Sequence, residues 1–190
     1  MEKYYFKYED IHRDAGNLYN VISNSGYSPD VIIAIGTGGF IPARILKSFF
    51  KKQIICVTIG YYDENDKLQD KTNKIQWIQK GSDEHKMIKN KKILIVDELD
   101  DTRSSLQYVT NELLEYQPSE IAVGVLHNKI KEKKGVLDKR IKYFCSKQIA
   151  DKWIIYPWEV TDIIAHNKLC ESSKFFDYGC LLYTSDAADE

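Results

Sequence analysis

Residues 97–105 read Asp-Glu-Leu-Asp-Asp-Thr-Arg-Ser-Ser, four acids and three hydroxyls in nine positions. Carboxylates such as Asp97 and Glu98 offer hard oxygen acceptors, suited to ribose hydroxyls or to waters around a magnesium ion. Thr102, Ser104 and Ser105 add hydroxyls beside the unpaired backbone N–H groups of a helix start, a combination that cradles a phosphate. Acids next to a phosphate repel it unless a cation or a sugar lies between them. A sugar phosphate satisfies both halves of the segment. Capping and charge-complementing a helix would account for one Asp or Ser, not for this density.

A second segment, Ile35-Gly36-Thr37-Gly38-Gly39-Phe40, lets the backbone approach an anion closely. Alone it reads as a tight turn. Beside residues 97–105 it reads as a second anion loop.

Both segments need elements that present them. VIIAIG from Val31 is a short, β-branched apolar run, as expected of a strand buried on both faces. FIPARILKSFF then carries helical periodicity. IICVTIG (54–60) is a second buried strand. ILIV before Asp97 is a third, and SSLQYVTNELLEY is an amphipathic helix. IAVGVLH (121–127) is the next strand, and KIKEKKGVLDKR a basic connection. IKYFCSKQ and KWIIY read as two more strands, the second ended by Pro157. EVTDIIAHNKL closes with a helix. Upstream, residues 9–25 space Ile11, Leu18, Val21 and Ile22 as a helix does. Strands alternating with helices predict an α/β domain with a mostly parallel twisted sheet. Ligands then bind at the carboxyl ends of the strands, where both segments fall.

Residues 61–91 are polar except for Ile75, Trp77 and Ile78, and too long for an ordinary connection. A mobile lid and a surface hairpin are the two readings. The tail, 181–190, shows neither helical nor strand period and reads as a flexible or non-native end.

Composition excludes broad classes. Of 190 residues, 43% are hydrophobic and 29% charged, ordinary for a globular protein of one domain. The net charge of -1 leaves no footprint for nucleic acid or an anionic membrane. No apolar run is long enough to span a bilayer, and the N-terminus lacks the pattern of a signal peptide. Cys56, Cys145, Cys170 and Cys180 form no C-x-x-C pair. Cys56 and Cys145 sit in strand-like runs as buried thiols, and the whole points to the cytoplasm.

LIVDELDDTRSSL resembles the 5-phosphoribosyl-1-diphosphate (PRPP) signature of type I phosphoribosyltransferases. From about Val31 to His166 the chain resembles their purine-salvage branch, most of all the fungal xanthine/hypoxanthine type. IAIGTGGFIPARIL, KIQWI, LIVDELDDTRSSL, VLHNK and DKWIIYPWEVTDI stand in that branch's order. The resemblance implies one domain over 1–180, with a lid about 61–91 and a hood and base pocket about 141–170. It implies a Mg2+-dependent enzyme, and relatives suggest a homodimer. It assigns Asp97 and Glu98 to the ribose and to magnesium-bound water, and Asp101 to the catalytic position near N7 of the purine. Asp101, Thr102, Arg103, Ser104 and Ser105 form the 5-phosphate loop. Gly36, Thr37, Gly38 and Gly39 form the pyrophosphate loop, where the family often has a cis peptide. Lys129 faces O6 of the base, Trp153 stacks on it, and Ile154 meets its C2 edge.

Two departures stand out. Many relatives have Gly where Arg103 stands, so its side chain must point outward or reach the phosphate. Thr37 replaces the Arg or Gly common elsewhere, leaving Lys74 or another base of 61–91 to supply charge for pyrophosphate.

The base pocket also has a reading from residue chemistry. Lys129 is a donor only, so it serves a 6-oxo group and conflicts with a 6-amino group. It falls immediately beyond strand 121–127; one more solvated lysine is the plain alternative. A tryptophan in a strand is ordinarily core, but a purine face can stack on it. The expected reaction transfers ribose 5-phosphate from PRPP to N9 of hypoxanthine, xanthine or guanine. The alternative from another class is a PRPP- or nucleotide-sensing regulator with little turnover.

Overall fold

The computed structural model describes residues 2–62 and 68–172. The chain begins with a short strand, β1 (Lys3–Tyr5), and helix α1 (Tyr8–Asn24). The elements β2 (Val31–Gly36), α2 (Phe40–Phe50), β3 (Gln53–Tyr62), β4 (Leu68–Gln76) and a single turn, α3 (Asp83–Lys86), come next. They are followed by β5 (Lys92–Asp100), α4 (Ser104–Leu114), β6 (Glu120–Ile130) and β7 (Lys142–Ala150). The chain continues through β8 (Trp153–Ile155), a 3-10 turn (Pro157–Glu159) and α5 (Ile163–Ser172).

Six strands form one sheet in the order β4-β3-β2-β5-β6-β7. All pairs are parallel except β3 with β4. The strand period of two splits the core. Ile32, Leu94 and Val96 face α1 and α2 through Leu18, Ile22 and Leu46. Ile33, Ile93 and Ile95 face α4 through Leu106, Val109 and Leu113. Each fully buried Ile or Leu contributes about 1.5–3 kcal/mol over an exposed one, which is why β2 and β5 open as unbroken apolar runs. No helix among the described residues is long and apolar enough to cross a membrane.

The structure differs from the expectations at several places. β5 continues through Asp97, Glu98 and Asp100, because the ladder with β6 runs on to Asp100 opposite Asn128. β6 likewise extends to Ile130, so Lys129 lies within the strand, opposite Ile149 of β7, rather than beyond it. Cross-strand hydrogen bonds hold these polar residues extended where their own propensities do not. Of the two late strands, only β7 joins the main sheet. β8 pairs in parallel with β1 in a separate two-stranded sheet, so the small layer begins after Ala150 rather than at 141. β1 is too short to show a period and was invisible in the sequence. The closing helix starts at Ile163, later than residues 159–162 implied.

In the stretch 61–91, β4 pairs antiparallel with β3, as the hairpin reading requires. Cys145 is buried and Cys56 half-buried, and neither is joined in a disulfide. Residues 63–67, Cys180 and the tail 181–190 lie outside the described residues.

Candidate active site

β2 and β5 are neighbours at the middle of the sheet, so the turns that leave their carboxyl ends lie side by side. The first turn, 36–39, opens α2, and its Gly36–Thr37 peptide is cis. A Cβ on Gly38 would run into the Glu98 carboxylate. A side chain at position 38 would have to displace that carboxylate, and this close approach joins the glycine turn to the acidic motif.

Asp97 is buried and accepts a hydrogen bond from the Glu98 N–H at 3.0 Å. Burial, and next the charge of Glu98, push the Asp97 carboxyl well above the usual carboxylate range. Glu98 Oε2 is buried with no hydrogen-bond partner. Two adjoining carboxylates, one with an orphaned oxygen, fit a divalent cation or a pair of sugar hydroxyls. Among the described residues no group of three or more His, Cys, Asp or Glu could hold a metal. Two carboxylates supply only part of the oxygen shell such an ion takes, so water and substrate oxygens would complete it.

The second turn follows β5. Thr102 Oγ1 donates to Ser104 Oγ at 3.1 Å, which places two hydroxyls at the N-terminus of α4. Ser105 lies in the first turn of that helix. Arg103 occupies the N-cap with φ 67°, the left-handed region that costs a side chain roughly 1–2 kcal/mol relative to glycine. This explains why glycine suits the position. The Arg103 side chain neither points outward nor reaches across the turn. It folds back, and its Nε and Nη2 donate to Asp100 Oδ2 at 2.9 and 2.8 Å. The Tyr143 hydroxyl donates to the same oxygen at 2.8 Å, and the guanidinium lies 4.7 Å from the Tyr143 ring centre.

Asp101 and Lys129, 28 positions apart in sequence, meet in a quartet of charges. Lys129 Nζ lies 3.3 Å from Asp101 and 3.5 Å from Asp151, while Lys131 Nζ lies 3.0 and 3.1 Å from the same two acids. Burial opposes the charge on Asp101, but Lys131 and Lys129 outweigh it and hold the carboxyl below its usual range. The Lys129 side chain is 7% exposed, so it is no solvated surface lysine. Asp151 stands two residues before Trp153, which is 58% exposed and so available for stacking, while Ile154 is buried. Lys74 is not part of this assembly. Its ammonium pairs with Glu112, late in α4, and lies 4.9 Å from the Trp77 ring centre.

A buried chain supports the acidic strand from behind. His127 sits between Asp14 (2.9 Å) and the Tyr156 hydroxyl (2.8 Å), and that hydroxyl donates to the Glu98 carbonyl at 3.3 Å. Burial pushes His127 below its ordinary value against the pull of Asp14.

Sequence reasoning missed Asp100, Lys131, Lys133, Tyr143 and Asp151. The run Lys129, Lys131, Lys133 signalled a cluster of ammonium groups at and just beyond the end of β6, which closes at Ile130. Nothing local marked Tyr143 or Asp151.

Together these groups could bind a phosphorylated sugar at two loops and read the edge of a flat base beside them. Residues 7–162 match the phosphoribosyl transferase domain. The chain belongs to that family. Within it, the chain is 37% identical to the hypoxanthine-guanine phosphoribosyltransferase of Schizosaccharomyces pombe, over 86% of this chain and 92% of the relative. It is 32% identical to xanthine phosphoribosyltransferase 1 of Saccharomyces cerevisiae, over 90% and 96%. Its fold is similar to that of a protein from Neisseria gonorrhoeae solved with bound ppGpp, with a TM-score of 0.83 and 39% identity, over 90% of this chain and 97% of that one.

Proposed function

We propose that this chain is a purine-salvage phosphoribosyltransferase. It transfers ribose 5-phosphate from PRPP to N9 of hypoxanthine, xanthine or guanine and releases pyrophosphate. The observation that carries this is the joining of three parts at the carboxyl ends of neighbouring strands. The Glu98 carboxylate lies on the Gly38 turn, the Thr102 and Ser104 hydroxyls stand at the start of α4, and the Asp101–Lys129 pair completes the set.

The roles follow from the chemistry of each group. Asp97 and Glu98 hold the ribose hydroxyls, and water on Mg2+. Thr102, Ser104, Ser105 and the first N–H groups of α4 hold the 5-phosphate. The turn 36–39 faces the pyrophosphate end. The C1–oxygen bond to pyrophosphate breaks as the N9–C1 bond forms, and holding both reactants in line supplies much of the rate. When bound, Mg2+ neutralises the leaving pyrophosphate. Asp101, kept ionised by its lysines, accepts the proton or hydrogen bond at N7. Lys129 turns from Asp101 and Asp151 to O6, Trp153 stacks on the ring, and the backbone at Ile154 meets the C2 edge. The β3–β4 hairpin closes over PRPP and excludes water, since hydrolysis is the competing reaction, while Ile78 and Ile88 stay anchored in the core. This reading carries with it a cytoplasmic homodimer acting on small molecules.

The test is to incubate the protein with PRPP, Mg2+ and each purine and to measure nucleotide formed. No nucleotide from any base, with tight PRPP binding, would replace the enzyme by a sensor. The ppGpp bound to the neisserial neighbour adds an expectation: ppGpp, a guanosine carrying phosphates, competes with PRPP for this pocket.

A further inference from the structure

Arg103 stands in the phosphate loop, yet its charge is spent inside the protein. Two of its nitrogens grip one oxygen of Asp100, a carboxylate with no exposed surface, and the Tyr143 hydroxyl grips the same oxygen. The guanidinium also lies over the Tyr143 ring. This clamp ties the start of α4 to the end of β5 and to β7.

The connection after β6 braces the loop from the other side. Lys133 Nζ donates to the carbonyls of Asp100 (2.7 Å), Asp101 (3.0 Å) and Lys129 (2.9 Å). The N–H groups of Lys134 and Gly135 both donate to the Thr102 carbonyl at 3.0 Å. A Cβ on Gly135 would strike the Arg103 carbonyl and come within 3.0 Å of the Ser104 nitrogen. Every backbone carbonyl from Asp100 to Thr102 is thus held by residues 133–135, and glycine at 135 is what lets the two segments touch.

We infer that Arg103 is a positioning residue. Through Asp100 and Tyr143 it sets the left-handed turn that aims the Thr102 and Ser104 hydroxyls and the first N–H groups of α4, and Lys133 and Gly135 hold that turn from outside the site. The inference rests on the reading of 102–105 as the 5-phosphate loop. It assigns to Arg103 no contact with the phosphate. Its consequence is specific: the clamp and the Gly135 contact control affinity for PRPP more than affinity for the purine.

Steady-state kinetics separate positioning from direct contact. The variants are Arg103→Ala, Arg103→Lys, Tyr143→Phe, Arg103→Ala with Tyr143→Phe, and Gly135→Ala. Loss of one or two hydrogen bonds of this kind should raise KM for PRPP about threefold to tenfold. The same changes should move KM for the purine less than twofold. Lysine should not rescue position 103, because an ammonium cannot make the paired, stacked grip of a guanidinium. Tyr143→Phe should weaken PRPP in the wild type and add nothing once Arg103 is gone. Gly135→Ala should weaken PRPP although Arg103 is intact. Far-UV dichroism and melting of each variant identify any loss of fold, and the mild Tyr143→Phe change keeps the cycle readable if Gly135→Ala does not fold.

A direct phosphate contact predicts otherwise: rescue by lysine, additive effects, and no response to Tyr143→Phe or Gly135→Ala. That outcome overturns the inference while leaving the function intact. If the wild type bound neither PRPP nor inorganic phosphate by calorimetry, the phosphate-loop reading would fall and this inference with it.

Discussion

Replacing Lys129 by Met tests the base-reading part of the site. Methionine keeps the aliphatic stem in β6 and removes the ammonium. The partners lost are Asp101 at 3.3 Å and Asp151 at 3.5 Å, but Lys131 holds the same acids at 3.0 and 3.1 Å. Both acids are more than a third exposed, so water compensates them, and loss of the pair should cost stability no more than about 1 kcal/mol. The effect on selectivity should be larger. A 6-amino group facing the ammonium leaves two donors opposed, which costs about 1–3 kcal/mol and corresponds to roughly 5- to 150-fold in kcat/KM. Lys129→Met removes that conflict and also removes the donor to a 6-oxo group. The ratio of hypoxanthine to adenine should therefore narrow by a factor within that range. Adenine need not become a good substrate, since the C2 edge still selects. The assay is kcat/KM for hypoxanthine, guanine, xanthine and adenine with both proteins. If adenine fell in step with the oxopurines, Lys129 would not read position 6, and its burial would have a purely structural meaning.

Four further outcomes are expected. Trp153→Ala should weaken every purine nucleotide alike, by about 1–3 kcal/mol, because stacking uses the ring face that all share; competition binding with nucleotides of different bases checks this. Asp101→Asn should lower turnover about 10²–10⁴-fold and leave PRPP affinity nearly intact, and a variant with full turnover across pH would remove Asp101 from proton handling. Asp97→Asn with Glu98→Gln should weaken PRPP binding and abolish its dependence on Mg2+ in titration calorimetry; unchanged affinity would remove the pair from the binding of PRPP. His127 has a folded value below its unfolded one, so the unfolded chain takes up its proton first and this share of stability is lost as pH falls below about 6.5. Asp97, pushed upward, acts in the opposite sense. The His127 share is therefore read as a difference: urea denaturation between pH 7.5 and 5.5 should show a smaller loss for His127→Gln than for the wild type.

Much of this protein is legible in the residues themselves. The buried strands announce themselves because β2 and the start of β5 are apolar at every position, and the helices because α1 and α4 repeat apolar residues at their own period. The acidic and hydroxyl chemistry of 97–105 is legible because it is packed into one short run. What the sequence alone could not determine depends on which strands are neighbours. Glu98 meets Gly38 only because β2 and β5 pair. Asp101 meets Lys129 only because β5 and β6 pair and both ladders run on through polar residues that would not hold a strand by themselves. Arg103 turned inward because Tyr143, 43 positions from Asp100, delivers its hydroxyl to the same buried oxygen. Asp151 joined Asp101, Lys129 and Lys131 because β7 lies beside β6. Local propensity and period are properties of a few adjacent residues, whereas a buried charge takes its direction from whatever partner the sheet order brings within about 3 Å, and that order is decided only by the assembled core.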